Sequence, residues 1–134
     1  MPSVPIIAAA RACLGTRFRP QGRVPGLALD CVGVALVAAA AAGVVIVMPP
    51  YRLGGDREAD FDHVLRDAGC AWLRPGEARS GDLLVVAPSP GRRHVAVVTD
   101  RGVVHAHAGL GRVVEGPLDP AWIPIAAWRL PVEG

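Results

Sequence analysis

The chain has 134 residues and a mass of 13.9 kDa, with 51% hydrophobic and 19% charged residues, enough to bury a core and too apolar for a disordered segment. Its formal charge of +2 and the lack of a basic run interleaved with aromatics argue against nucleic-acid binding. Cys13, Cys31 and Cys70 form no CxxC pair, so neither a zinc ribbon nor a disulfide framework is expected, and no metal or cofactor is called for.

In chain order, residues 5–14 (PIIAAARACL) predict a short helix ended by Gly15, and residues 15–29 an irregular segment rich in Gly, Pro and Arg. Asp30 is a good N-cap for CVGVALVAAAAAG, a helix closed by Gly43. The β-branched run VVIVM follows, halted by Pro49-Pro50. Residues 31–48 carry no charge and reach the length of a membrane span. Their many alanines, Gly33, Gly43 and the flanking Asp30 favour a buried helix, so no membrane span is expected. A second helix fits residues 56–68, with Ala59, Phe61, Val64, Leu65 and Ala68 near one face. From residue 70 short β-rich runs take over: AWLR, DLLVVA, HVAVVTD, GVVHAHA, GRVVEGPL and AAWRLP. Asp100-Arg101-Gly102 reads as a hairpin turn. Helices first and an antiparallel sheet second make an α+β fold, read as a single domain over residues 1–134. The N-terminus has no basic stretch before its short apolar one, so no secretory signal is expected.

Reactivity concentrates at Cys31. A thiol at a helix N-terminus beside an imidazolium is expected to have a lowered pKa, and the Cys31 amide, among the unpaired donors of the first turn, can face a developing oxyanion. Gly33 would leave room for a substrate chain. His94 opens one strand and His105 sits on the next, so across the hairpin His94 can serve as base and His105 can orient it. His107 shares strand parity with His105, and periodicity alone does not choose between them. Cys13 and Cys70 read as core thiols and His63 as solvated surface. Asp82 reads as turn chemistry and Glu115 as a strand-end charge. Trp72, Trp122 and Trp128 read as packing residues.

These segments, taken together as ARACLGTRFRPQGR, LDCVGV, SGDLLVV, RHVAVVTDRGVVHAHAG, RVVEGPLDPAW and AAWRLP, resemble the NlpC/P60 family, in its phage-tail and gene-transfer-agent branch of cell-wall peptidases. DCVG resembles the family's nucleophile motif, HVAVV its base motif and VVHA its third-residue motif, which favours His105 over His107. The resemblance implies a papain-like NlpC/P60 fold and a cysteine endopeptidase without cofactor. Its substrate would be peptidoglycan stem peptides, cut between D-glutamate and a diamino acid. It also implies phage-tail partners, with the chain cytoplasmic until it is assembled into or released with a tail. Two departures stand out: Phe18 replaces an aromatic that often carries a hydroxyl, and Val32 follows the nucleophile where Ser is common. Phe18, Gly33 and His107 are therefore the candidate substrate or oxyanion residues beside Cys31. The same residues admit an inert structural tail-tip protein that keeps the fold, or a thiol amidase or acyltransferase.

Overall fold

A computed structural model describes residues 3–48 and 58–131, with side chains described from Phe61 onward in the second segment. Helix α1 (Ser3–Ala12) buries Ile6 and Ala10, with Cys13 one turn further along the same face. Gly15, at φ 84°, then turns the chain and donates its amide to the Val113 carbonyl. The segment expected to be irregular contains a small ribbon, β1 (Arg23–Val24) against β2 (Ala28–Leu29). It leads directly into α2 (Cys31–Ala41).

Helix α2 is 11 residues long, too short to cross a bilayer, and no helix among the described residues is long and apolar enough to do so. Its alanines serve close packing: Ala35, Ala38 and Ala39 are all buried in the core. Beyond Gly43, residues 44–48 are extended, with Val44 and Ile46 buried and Val45 and Val47 exposed. The burial alternates as in a strand, yet the segment joins no sheet among the described residues. β-propensity provided the conformation but tertiary structure provided no partner. Pro49 and Pro50 lie outside the described residues. Helix α3 (Glu58–Asp67) buries Phe61 and Leu65, with Val64 and Ala68 packed beside them, and Gly69 at φ 87° ends it.

All six predicted strands form one antiparallel sheet: β3 (Ala71–Leu73), β4 (Leu83–Ala87), β5 (His94–Thr99), β6 (Gly102–His107), β7 (Arg112–Gly116) and β8 (Ile123–Arg129), in the order β3-β8-β4-β5-β6-β7. The architecture is thus α+β, with three α-helices among the described residues and an antiparallel six-stranded sheet. Strand β8 starts earlier than expected. Proline 124 cannot donate to a ladder, but a register shift at Val85/Val86 accommodates it opposite Val86. The main core, between helices and sheet, holds Leu83, Val85, Val95, Val97, Val104 and Trp128. The opposite face carries a second cluster of Leu84, Val86, Ala96, Val103 and Ala127, covered partly by Leu118 and Trp122.

Two ion-paired anchors brace the sheet. Buried Asp82 receives both the Arg79 amide at 2.8 Å and a two-pronged bond from Arg129, at 3.1 and 2.9 Å, so it does more than shape a turn. Glu115 accepts from Arg11 on α1 and from the Thr99 hydroxyl at 2.7 Å, while Arg11 also pairs with Asp100. Bonding to Arg11 holds the Glu115 carboxyl below the usual carboxylate range. Glu115 is therefore more than a strand-end charge: with Asp100 it ties α1 to the turn end of the β5–β6 hairpin.

Candidate active site

Asp30 organises the entrance to α2. Fully buried, it takes the Gly33 amide at 2.8 Å on Oδ1 as an N-cap, the Gln21 amide at 2.7 Å on Oδ2, and the Arg23 guanidinium at 2.9 Å. Its backbone carbonyl accepts from Val34. The Gly33 and Val34 amides are thereby satisfied, and the first-turn amides of Cys31 and Val32 are left facing the Cys31 sulfur. The Val95 amide, at the start of β5, also points at that sulfur. Gly33 has a different role from the one expected. It is buried, and a Cβ there would strike the Gly22 carbonyl and the Leu29 side chain, so its smallness admits the 15–29 segment and not a substrate.

The ladder between β5 and β6 runs from Thr99↔Gly102 to Val97↔Val104 and pairs no further. Toward that unpaired end a cleft of about 160 Å³ opens between His94 at the start of β5 and Ala106-His107 at the end of β6. Cys31, Phe18, Pro88, Arg92, Arg93, Gly109 and Trp122 also line it. Sheet alternation puts Val95, Val97 and Val104 on the helix side and Ala96 and Val103 on the other. At the end of that paired stretch a sulfur from the helix side and the His94 and His107 imidazoles line one space.

His94 and His105 are brought together as expected from the hairpin: His94 Nε2 lies 2.7 Å from His105 Nδ1. This leaves His94 Nδ1 as the nitrogen that can serve the cleft. Cys31 and His94 line the same cleft. His107 lies beside them, its Nδ1 accepting from the Leu110 amide at 3.0 Å. Trp122, expected to be a packing residue, is part of the site. Its ring stacks on His107 (centroids 5.6 Å apart, 27° between planes) and meets His94 and His105 edge-on at 5.2 and 5.5 Å. Its sequence signal was weak, an isolated aromatic after Asp119-Pro120. Phe18 lines the cleft with an apolar ring and brings no hydrogen-bond donor.

Burial governs the electrostatics. Removal from water pushes the Cys31 thiol up to about 11, and the Asp30 carboxylate adds to this, while the Val95, Val32 and Cys31 amides work the other way. Burial, helped by the nearby His105 and His107, lowers His94 to about 3, and burial with His107 lowers His105 to about 4. Burial thus disfavours the charged form of both groups and opposes the expected pull of the helix terminus toward a thiolate–imidazolium pair. Among the described residues no group of three ligating side chains is placed to hold a metal ion. Cys13 and Cys70 are buried in the core away from the cleft lining, and His63 is exposed and pairs with Asp67 at 3.2 Å.

No family model matches the sequence, and no curated protein does. The three-dimensional comparison is decisive for the architecture. The NlpC/p60 domain of the peptidoglycan hydrolase SagA superposes with a TM-score of 0.65 at 24% identity, covering 93% of this chain and 96% of that one. The P60 domain of an antigen from Mycobacterium avium subspecies paratuberculosis gives 0.64 at 21% identity, covering 96% and 94%. This is the NlpC/P60 fold. RipD from Mycobacterium tuberculosis, described as a non-catalytic NlpC/p60 domain protein adapted to peptidoglycan binding, has the same fold, with a TM-score of 0.64 at 20% identity over 96% of this chain and 97% of its own. The NlpC/P60 fold thus occurs in a peptidoglycan hydrolase and in a non-catalytic protein alike, and the side chains in the cleft must decide between those roles.

Proposed function

We propose that this chain is a cysteine endopeptidase acting on peptidoglycan stem peptides, with Cys31 as nucleophile, His94 as general base and His105 as its orienter. The observation that carries the reading is the shared cleft of Cys31 and His94, with His94 Nε2 held on His105 at 2.7 Å. Fold likeness to the domain of a peptidoglycan hydrolase and the DCVG, HVAVV and VVHA motifs point to the same substrate.

The chemistry follows from the tautomers. For His94 Nδ1 to hold a free lone pair, the ring proton must sit on Nε2, which then donates to His105 Nδ1, and His105 keeps its own proton on Nε2. As the Cys31 sulfur attacks the peptide carbonyl, its proton passes to His94 Nδ1, a C–S bond forms and the carbonyl π pair moves to oxygen. The Cys31 amide donates to that oxyanion. Collapse breaks the C–N bond, the amine leaves with the proton from His94, and water activated by the same imidazole hydrolyses the thioester. Starting from a neutral pair, proton transfer accompanies attack instead of preceding it.

By the resemblance of its motifs, the bond cut is that between D-glutamate and a diamino acid, and a phage-like tail carries the enzyme from the cytoplasm to the wall. The second reading, a wall-binding or tail-tip protein without turnover, is favoured by the donor-free Phe18 and by the fold likeness to RipD. Purified sacculi incubated with wild type and Cys31→Ala, followed by mass analysis of released muropeptides, separate the two. New D-glutamyl-terminated fragments from wild type alone are expected. Identical profiles would end the hydrolase reading.

A further inference from the structure

An oxyanion in a thiol hydrolase needs more than one preorganised donor, and the nucleophile's own amide is one. The remaining cleft lining is mostly unable to donate: Phe18, Pro88, Ala106, Ala108 and Gly109 bring no polar side-chain atom. Among the lining residues that do carry donors, His94 is engaged as the base, Arg92 is solvent-exposed at the mouth, Arg93 donates to the Arg92 carbonyl at 3.0 Å, and Trp122 is the platform on which His107 stacks.

His107 differs from all of these because it is fixed on two sides. Its Nδ1 accepts the Leu110 amide at 3.0 Å, and an accepting nitrogen carries no proton, so the ring N–H is on Nε2. The ring plane is held by the stack on Trp122 and by edge contact with His105 at 5.5 Å. Gly109 belongs to the same arrangement, since a Cβ there would come within 3.0 Å of the His107 ring. The turn after β6 is thus shaped around this imidazole. A ring locked in one tautomer and one orientation, in the same cleft as the sulfur, is a preorganised donor.

We propose that His107, through Nε2–H, is the side-chain donor that binds the oxyanion formed when Cys31 attacks, with Trp122 and the Leu110 amide as its positioning groups. This rests on the hydrolase reading above and adds a third imidazole with a role distinct from the other two: His94 moves a proton, His105 orients, and His107 donates to charge developing on the carbonyl oxygen.

The test compares wild type, His107→Phe and His107→Gln, where the Gln side-chain amide nitrogen replaces the imidazole Nε2–H and Phe retains the stack without a donor. Three readouts are taken: stem-peptide hydrolysis, affinity for a peptide aldehyde that forms a hemithioacetal oxyanion on Cys31, and alkylation of Cys31 by iodoacetamide, which forms none. His107→Phe is expected to lose about 10²-fold in kcat with KM little changed, in line with the loss of one oxyanion donor. It should lose aldehyde affinity in parallel, while alkylation stays at the wild-type rate. His107→Gln should recover most of the loss. A His107→Phe enzyme that hydrolyses and binds aldehyde like wild type would overturn the inference and leave the hydrolase reading standing. Parallel loss of alkylation would mark a structural role and also overturn it. A wild type with no hydrolysis would sink the hydrolase reading, and the donor role with it.

Discussion

At Cys31 two opposed influences meet on one atom. First-turn amides of a capped helix favour the thiolate, whereas loss of water and the adjacent buried Asp30 disfavour it, and the balance leaves the thiol at about 11. Because the raised value keeps the sulfur protonated below that pH, the thiolate fraction should climb about tenfold per pH unit across the neutral and alkaline range. Iodoacetamide labelling of Cys31, read by peptide mass, is expected to follow that slope from pH 7 to 10 without an acid-side plateau. A flat rate from pH 5 to 8 would mean that an ion pair with His94 forms at rest. At His105 the requirement is an acceptor for His94 Nε2–H. His105→Leu should therefore lower kcat about 10²-fold, the scale of misplacing a general base. His105→Asn, whose side-chain oxygen falls near the Nδ1 position, should restore part of it, and steady-state kinetics on a stem peptide would show equal losses in both variants if orientation were irrelevant.

At the scale of elements, the site depends on how the 15–29 segment is tied to the head of α2. Asp30 joins three pieces of chain, and its replacement by Ala removes the N-cap, the Gln21 contact and the Arg23 pair together. Asp30→Ala is expected to cost about 2–3 kcal/mol, the cap alone being worth about 1. Gly33→Ala should cost about 1–3 kcal/mol through collision with Gly22. Both are measured by urea unfolding, and a change below 0.5 kcal/mol in either would mean the junction is looser than its geometry. This junction also shows what was legible beforehand. Asp30 as cap, the two helices flanking it, the six strands and the 94–105 pairing follow from local periodicity, capping and turn residues, which act over a few positions. The role of Gly33, the unpaired extension at 44–48, the ion pairs of Asp82 and Glu115 and the place of Trp122 depend on partners remote in sequence. Glycine offers no pattern to say which backbone approaches it, and the charge of Glu115 looked exposed until Arg11 closed over it.

At the scale of the whole molecule, the cleft lies where the β5–β6 ladder stops pairing, and three imidazoles and an indole gather there. That arrangement has a thermodynamic consequence that the clamps elsewhere do not share. His94 at about 3 and His105 at about 4 lie below the usual value near 6.5, so between these limits the unfolded chain binds protons that the folded one refuses. The sign is then fixed: the contribution is fully present above pH 6.5 and is lost as pH falls through the folded values. The carboxylates Glu115 and Asp100, also lowered by Arg11, begin to matter only below about 4.5, which leaves pH 7 to 5 as a window for the histidines. In that window the two histidines together are expected to cost about 3–4 kcal/mol, or roughly 10–13 °C in Tm for a domain of this size. Differential scanning calorimetry of wild type and His105→Asn across the window reads it directly, with a shallower slope expected for the variant. Equal slopes would mean that the acid sensitivity arises outside the cleft and that its imidazoles are already hydrated.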